Sequence, residues 1–443
     1  MMYKDNKYTS LTITVTLIIL GMLILFARNP SILTDPVVYA EDGRWIGLGL
    51  TEGWLDTLIN ARIDYFVFLN IIFLFLATKI SFLISGNQLN LLAESIGLVS
   101  ILYFSLVATL AFFVTRNLIP IFFRICLYLL ILLIPLGETQ NEIIGRVVQV
   151  GFYMPFVAVL LFYLRNTVIT NNGKFLIDFV LLLCAATNPV IIMLTFLYLL
   201  QDLLKYFAIR KFINRNFTLI FPFALLVIFL IPRLGGAGSI PGGLVYASLI
   251  EMVIARTILY PFIYPWYSNL SDTYALALFF LWISCITTSY VLSKREIKQL
   301  IVYLLIALFT YDFITVIMRP GLTGFLSNYQ STFPDRYFMG INVLSTSLTV
   351  IAISQLAVSN RIFLKIIAYF AMTSIIVIYA TNLPKIFELN GPKMQIKENV
   401  NFIDQVCSSK LLKGDSSTSV IDIYPSSWKM IVQSKFIDKS NCK

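Results

Sequence analysis

Long, nearly uncharged runs of apolar residues recur along this chain, for example at residues 11–27, 65–84, 96–114 and 275–292. A run of about 18 or more apolar residues is long enough to cross the hydrocarbon core of a bilayer as a helix. The pattern therefore predicts an all-α polytopic membrane protein with about 11 transmembrane helices. We place these helices at residues 10–27, 65–85, 94–114, 119–136, 147–164, 175–203, 217–232, 274–292, 299–318, 341–357 and 362–381.

The middle of this map leaves two interpretations open. Asn188 and Pro189 interrupt the run at 175–203 and could divide it into two short passes, because proline lacks a backbone N–H and breaks a helix. Arg116 and Arg124 also fall on a loop that the count places outside the membrane, against the usual enrichment of cations on the cytoplasmic side.

The distribution of basic residues predicts the orientation. Lys4 and Lys7 precede the first run, so we expect a cytoplasmic N-terminus. Three later basic segments fit cytoplasmic loops as well, and they contain Lys205, Arg210, Lys211 and Arg215; Lys294, Arg295 and Lys298; and Arg361 and Lys365. The loops at 28–64, 234–271 and 319–340 are then external, as is the C-terminus.

The chain is predicted to have two parts, a transmembrane domain at 1–381 and a polar external segment at 382–443. Residues 419–424 have the β-branched composition of a strand, and a Pro-Ser-Ser turn leads to a second apolar stretch at 428–432. We expect a small α/β appendage. An oxidising compartment would permit a disulfide between Cys407 and Cys442. The appendage could grip a substrate or serve only as a stabilising cap.

Composition narrows the chemistry. The 443 residues are 58% hydrophobic and 13% charged, and they include no histidine. Ser-His-Asp and Cys-His catalysis and histidine-based zinc sites are therefore excluded. No Cys-x-x-Cys pair and no Walker-type phosphate loop occurs. Proton transfer would have to use Asp, Glu, Lys or Tyr. The net charge of +10 is read as cytoplasmic-loop cations, not as a sign of nucleic-acid binding.

Acidic residues concentrate in the first predicted external loop. Residues 35–64 hold six of the 23 acids of the chain, at positions 35, 41, 42, 52, 56 and 64. Trp54, Leu55, Leu58 and Ile59 follow at helical spacing, which is typical of a helix lying flat at the membrane interface. A carboxylate there could meet both a lipid phosphate and a hydroxyl-bearing acceptor. Alternatively, Glu41 and Asp42 are ordinary solvated loop acids.

This layout resembles the GT-C class of membrane glycosyltransferases, in which an acidic external loop follows the first span. The sequence Glu41-Asp42-Gly43 occupies the corresponding place. Within the class, the chain is similar to bacterial and phage-borne glucosyltransferases that modify lipopolysaccharide O-antigen and convert serotype. The resemblance implies inverting transfer of a sugar, glucosyl in that group, from undecaprenyl phosphate at the periplasmic face of the bacterial inner membrane. Asp42 or Glu41 would be the general base, and we favour Asp42.

Substrate-binding candidates follow from the same interpretation. Phosphate recognition favours the arginine fork. The candidates for the donor phosphate are therefore Arg336, with Tyr337 as its hydrogen-bond partner, Arg62 and Arg256. Arg319 also lies near an external span end. Arg336 could instead pair with its neighbour Asp335. Asp64, Glu138 and Trp45 are the candidates for the glycan acceptor, with Glu142 beside Glu138. No cofactor or metal is required, although adjacent acids could bind a divalent cation.

Two other functions remain open. An O-antigen polymerase or ligase has a similar span count and a similar lipid-linked substrate, but its working loop lies late in the chain and relies on arginine. A flippase for lipid-linked oligosaccharides would place ionisable residues inside its spans. The predicted spans hold few of these, chiefly Asp178 and Asp312.

Overall fold

The computed structural model describes residues 7–137, 140–168, 170–209, 227, 243–326, 328–332, 335–387, 401–412, 415–425, 427–437, 439 and 442. The α-helices are α1 Lys7–Arg28, α2 Ser31–Thr34, α3 Ala40–Thr51, α4 Trp54–Asn60, α5 Phe68–Ser85, α6 Leu92–Val114, α7 Ile121–Leu132, α8 Gln140–Ile143, α9 Val150–Thr167, α10 Asn171–Ala185, α11 Val190–Ile209, α12 Tyr260–Ile263, α13 Asp272–Leu292, α14 Arg295–Met318, α15 Met339–Val358, α16 Ile362–Thr381, α17 Leu383–Phe387 and α18 Phe402–Cys407. A π-helix spans Glu251–Leu259, and the strands are β1 Lys410–Leu412, β2 Asp415–Ile423 and β3 Trp428–Gln433.

The predicted all-α polytopic fold is confirmed. Nine helical segments within the described residues are long and apolar enough to cross a membrane, and α7 is a shorter apolar helix. The predicted span at 217–232 lies outside the described residues apart from position 227.

The predicted span at 175–203 is two helices. α10 ends at Ala185 and α11 begins at Val190, with the break at Asn188 and Pro189. The Asn188 side-chain amide donates to the carbonyl of Gly151 at 2.9 Å, so this turn is held against the start of α9. The single-pass interpretation was therefore wrong, because the proline ends one helix and the asparagine anchors the turn.

Helix α5 has the length of a span but does not run from one end of the bundle to the other. Its first residue, Phe68, donates its N–H to the carbonyl of Ala186 at the turn between α10 and α11. Its far end leads into a short turn in which Leu89 donates to the carbonyl of Phe436, next to the C-terminal sheet. Phe82 stacks on Phe436, with ring centroids 5.2 Å apart. Both ends of α5 therefore lie on the same side of the bundle, and the prediction of a crossing at 65–85 was wrong.

Residues 246–269, predicted to be an external loop, are almost continuously helical. The segment has the length of a span, yet the Tyr267 hydroxyl donates to Glu251 at 2.8 Å. Sixteen residues of straight α-helix would separate these positions by about 24 Å. The segment therefore turns back on itself. Its prediction as a loop was wrong about the secondary structure, but its two ends do lie close together.

The charged turns gather at one end of the bundle, here called the basic end. The Gln355 amide near the end of α15 reaches the carbonyl of Leu118 in the turn between α6 and α7. Ser289 near the end of α13 bonds Ala352 of α15. The turns that follow α6, α13 and α15 thus lie at one end of the bundle, and they contain Arg116, Lys294 and Arg361. Arg116 and Arg124 were placed on the external side only because α5 was counted as a membrane crossing.

The C-terminal segment forms an antiparallel sheet in the order β1-β2-β3, which confirms the predicted strand, turn and strand. Cys407 and Cys442 are joined by a disulfide. The sheet packs on α3, where a Cβ at Gly47 would lie 2.8 Å from the carbonyl oxygen of Ile431. Only a glycine permits this close approach, and it joins the last part of the chain to the first external loop.

Candidate functional site

A cavity of about 220 Å³ opens where α3, α5, α9, α11 and α14 meet, at the end of the bundle opposite the basic end. Charged and phenolic side chains form one part of its wall: Glu41, Arg62, Asp64, Tyr65, Arg319, Arg336 and Tyr337. Amide and hydroxyl side chains form another: Asn70, Gln149, Thr187, Asn188 and Thr315. The apolar wall includes Val67, Val148, Phe152, Pro189, Val190, Ile314 and Met318. Polar and apolar surfaces thus meet in one small space.

The two adjacent acids of the first loop have different surroundings. Both lie in the first turn of α3, where a helix N-terminus favours negative charge. Glu41 is half-buried and lines the cavity. Asp42 is fully buried and does not line it. Of the two acids, Glu41 is therefore the one that a ligand in the cavity can reach, and the geometry does not support the preference for Asp42, because adjacent helical residues point about 100° apart.

Asp42 has a structural environment. One carboxylate oxygen, Oδ2, accepts a hydrogen bond from the backbone N–H of Val147 at 3.1 Å, while Oδ1 is buried with no partner in the part of the chain that the structure describes. Burial raises the pKa of Asp42 to about 8, against the opposing influence of Arg146. Asp42 thus ties α3 to the segment before α9, which carries the cavity-lining Val148 and Gln149.

Two arginines flank one tyrosine in the cavity wall. The guanidinium carbon of Arg319 lies 4.7 Å from the ring centroid of Tyr337, and that of Arg336 lies 5.1 Å from the same centroid. Within the described residues no carboxylate lies within 4 Å of Arg319, whereas Arg336 is 3.8 Å from Glu142. The pair presents concentrated positive charge, which suits an anion with several acceptor oxygens.

The third cavity arginine is already paired. Arg62 donates from Nε and Nη2 to the two oxygens of Asp64, each at 2.9 Å, and its guanidinium lies over the ring of Tyr65. This bidentate pair leaves the charge of the wall to Arg319, Arg336 and Glu41. Both Arg62 and Asp64, predicted from the sequence as binding residues, reach the cavity.

The prediction for Arg256 is not supported. This side chain is 1% exposed, pairs with the equally buried Asp335 and donates to the carbonyl of Thr332. It lies against the rings of Tyr260 and Phe338 and does not line the cavity. The reason is the helical fold of residues 246–269, which buries a side chain expected on an open loop. Asp335 therefore pairs with Arg256, not with Arg336.

The remaining candidates have mixed outcomes. Trp45 borders the cavity but is only 2% exposed, and its indole N–H donates to the carbonyl of Ala61 at 3.2 Å. Glu138 lies outside the described residues. Glu142 is buried beside Arg336 and Tyr39, and burial raises its pKa. Among the described candidates for acceptor binding, Asp64 is thus the charged residue that lines the cavity.

Several residues of the cavity wall were not among the predicted binding residues. Arg319 was one of four arginines predicted near external span ends but was not among those chosen for the phosphate, and Asn70, Gln149 and Thr315 were not predicted at all. Each of these three polar residues lies within or beside an apolar run. The signal available in the sequence was therefore a polar residue in otherwise apolar surroundings. Among the described residues, no cluster of three or more His, Cys, Asp or Glu side chains could hold a metal ion.

The geometry is the main guide to function. Comparison of this chain with protein-family models, with curated proteins and with solved structures found no match. What the structure establishes is a polytopic, all-α membrane protein with a charged cavity at one end of its helical bundle.

Proposed function

We propose that the protein is a glycosyltransferase that moves a sugar from a polyprenyl-phosphate carrier to a glycan acceptor. In the version suggested by the sequence resemblance, the donor is undecaprenyl-phosphate-glucose and the acceptor is lipopolysaccharide O-antigen on the periplasmic side of the bacterial inner membrane. The observation that carries the proposal is the meeting of the Glu41 carboxylate and the Arg319 and Arg336 guanidinium groups in one cavity with an apolar wall.

The positive part of the wall would hold the phosphate of the donor. Arg319 has no carboxylate within 4 Å among the described residues, and the Arg336–Glu142 distance of 3.8 Å is longer than a charge-assisted hydrogen bond. Both guanidinium groups are therefore available to a ligand. Tyr337 holds them together, since its hydroxyl accepts from Arg336 at 3.3 Å.

The apolar wall would receive the start of the polyprenyl chain. Ile314 and Met318 lie four residues apart on α14 and therefore share one face, and both border the cavity. Met318 is 49% exposed at the outer surface of the bundle. A lipid could thus extend from the cavity into the membrane without its isoprene units meeting water.

Glu41 would act as the general base. Its carboxylate takes the proton from an acceptor hydroxyl, whose oxygen then bonds to the anomeric carbon of the sugar. The bond from that carbon to the phosphate oxygen breaks, and the electron pair leaves with the lipid phosphate. Arg319 and Arg336 stabilise the charge that develops there. Attack opposite the leaving group inverts the anomeric configuration.

The test is transfer from a polyprenyl-phosphate sugar by Glu41→Gln. We expect a loss of roughly 10²- to 10⁴-fold in transfer, the usual contribution of a general base, without a change in thermal stability. Glu52→Gln is the matched control, because Glu52 is exposed at the other end of α3. Full transfer by Glu41→Gln would disprove the assignment, and a ladder of polymerised repeats as product would favour the polymerase alternative.

A further inference from the structure

Three residues of the cavity wall each carry a polar side-chain atom that has no hydrogen-bond partner among the described residues. The atoms are Asn70 Oδ1, Gln149 Oε1 and Thr315 Oγ1. Each residue is at most 2% exposed, and each borders the cavity. Buried polar side-chain atoms in folded proteins are normally paired, so three unpaired atoms around one small space indicate a ligand-binding surface.

The orientation of Asn70 is fixed by its surroundings. Its Nδ2 donates to the carbonyls of Val147 at 2.7 Å and Val148 at 3.1 Å. Rotating the amide by 180° would place its oxygen against both carbonyls, so the assignment of nitrogen and oxygen is determined by the network. Asn70 therefore presents its carbonyl oxygen, an obligatory acceptor, where its partner must be a donor.

The chemistry of the three groups selects a neutral donor of hydrogen bonds. A side-chain amide and a hydroxyl carry no charge, and a cation is disfavoured because Arg62, Arg319 and Arg336 line the same cavity. An alcohol group fits both requirements, since it donates to an amide oxygen and can exchange hydrogen bonds with a threonine hydroxyl. The ligand class is a compact molecule bearing several hydroxyl groups.

The position of these groups relates them to the phosphate site. Thr315 and Arg319 are four residues apart at the end of α14, and the Arg319 N–H bonds the Thr315 carbonyl at 3.2 Å. One helical turn, about 5.4 Å, therefore separates the hydroxyl-binding wall from a phosphate-binding arginine. That spacing is comparable to the distance across a single sugar ring attached to a phosphate.

We propose that Asn70, Gln149 and Thr315 form the subsite for the sugar being transferred and bind its hydroxyl groups while Arg319 and Arg336 hold the phosphate. This inference rests on the proposed function and adds the part of the donor that the site recognises. The sugar lies between the polar wall and Glu41, and the lipid leaves along Ile314 and Met318.

Binding of two lipids tests the subsite separately from the proposed function. The purified full-length protein is titrated with undecaprenyl phosphate and with undecaprenyl-phosphate-glucose, and dissociation constants are measured. The test variants are Thr315→Val and Gln149→Leu, which remove one polar group each at nearly constant size. Thr346→Val is the matched control, because Thr346 Oγ1 is also buried with no partner among the described residues, but Thr346 lies outside the cavity wall.

We expect each test variant to weaken binding of the sugar-bearing lipid about 5- to 10-fold, the value of one hydrogen bond, and to leave the bare lipid phosphate unaffected. Thr346→Val should bind both lipids like the unaltered protein. Equal effects on both lipids, or no effect on either, would overturn the subsite while leaving the proposed function intact. Failure of the unaltered protein to bind either lipid would instead refute the proposed function and the subsite with it.

Discussion

The backbone N–H of Ala40 donates a 2.6 Å hydrogen bond to the carbonyl of Tyr424, so the residue directly after β2 holds the residue directly before Glu41. Ala40 has φ of 39°, in the left-handed region that residues other than glycine rarely adopt. Tyr39 forms a parallel bridge with Tyr424, with ring centroids 5.8 Å apart. The sheet therefore fixes the start of α3 and, through it, the direction of the proposed base.

Gly47→Ala should impair transfer from a site outside the cavity. The added Cβ would lie 2.8 Å from the Ile431 carbonyl, so α3 or the sheet must shift and move Glu41. We expect transfer to fall about 10- to 100-fold, because a small misplacement of a reacting group lowers the rate by such a factor. The loss is expected even though alanine has a higher helix propensity than glycine. Gly324→Ala is the control because no atom of the described residues lies within 4 Å of its added Cβ. Normal transfer by Gly47→Ala would show that this contact does not position the base.

Asp42→Asn should change how stability depends on pH. Burial raises the pKa of Asp42 from an ordinary value near 4 to about 8 in the folded protein. The folded state therefore binds the Asp42 proton more tightly than the unfolded state does. This proton stabilises the folded state fully below about pH 4, and the stabilisation is lost as the pH rises towards 8. The slope is at most about 1.4 kcal/mol per pH unit.

Thermal unfolding between pH 5 and pH 9 measures this effect. The unaltered protein should lose stability over this range more steeply than Asp42→Asn, whose amide does not titrate. Because Asp42 lies outside the cavity wall, the variant should also retain transfer, in contrast to Glu41→Gln. Parallel pH profiles for the two proteins would argue against a buried, neutral Asp42.

Arg256 and Arg319 should differ in the property that they affect. Arg256→Leu leaves Asp335 buried without its cation, and we expect a loss of about 3–5 kcal/mol in stability. Arg319→Gln removes a side chain that faces the cavity, so it should weaken binding of undecaprenyl phosphate about 10- to 100-fold, the value of a charge-assisted hydrogen bond, with little change in unfolding temperature. Unfolding and lipid titration of both variants distinguish these roles. An unchanged affinity in Arg319→Gln would remove it from the phosphate site.

The path of α5 predicts an unusual labelling pattern. Asn87 and Asn117 are exposed in the turns at the two ends of α6, so single cysteines at these positions should react with a membrane-impermeant thiol reagent from opposite sides. A cysteine at Asn87 should share its side with one at Lys439, since Leu89 bonds the C-terminal segment. Labelling of Asn87 and Asn117 from one side would contradict the structure.

Hydrophobic periodicity was sufficient to predict the fold class, most spans and the two long strands, because each depends on local sequence. It failed at Phe68–Ser85, where an apolar helix of spanning length is tied at both ends to partners more than 100 residues away. It also failed at Arg256, since no local signal shows that 246–269 folds back. The choice between Glu41 and Asp42 depends on which side of α3 packs against the segment at Val147. This tertiary contact could not be predicted from a single sequence.

The contact between Tyr424 and Ala40 joins residues almost a full chain length apart. During synthesis, the first external loop leaves the ribosome long before Tyr424, the residue that holds the start of α3 in place. The intervening helices can therefore insert well before Glu41 is correctly placed, so membrane integration and completion of the cavity wall are separate events in the life of this protein.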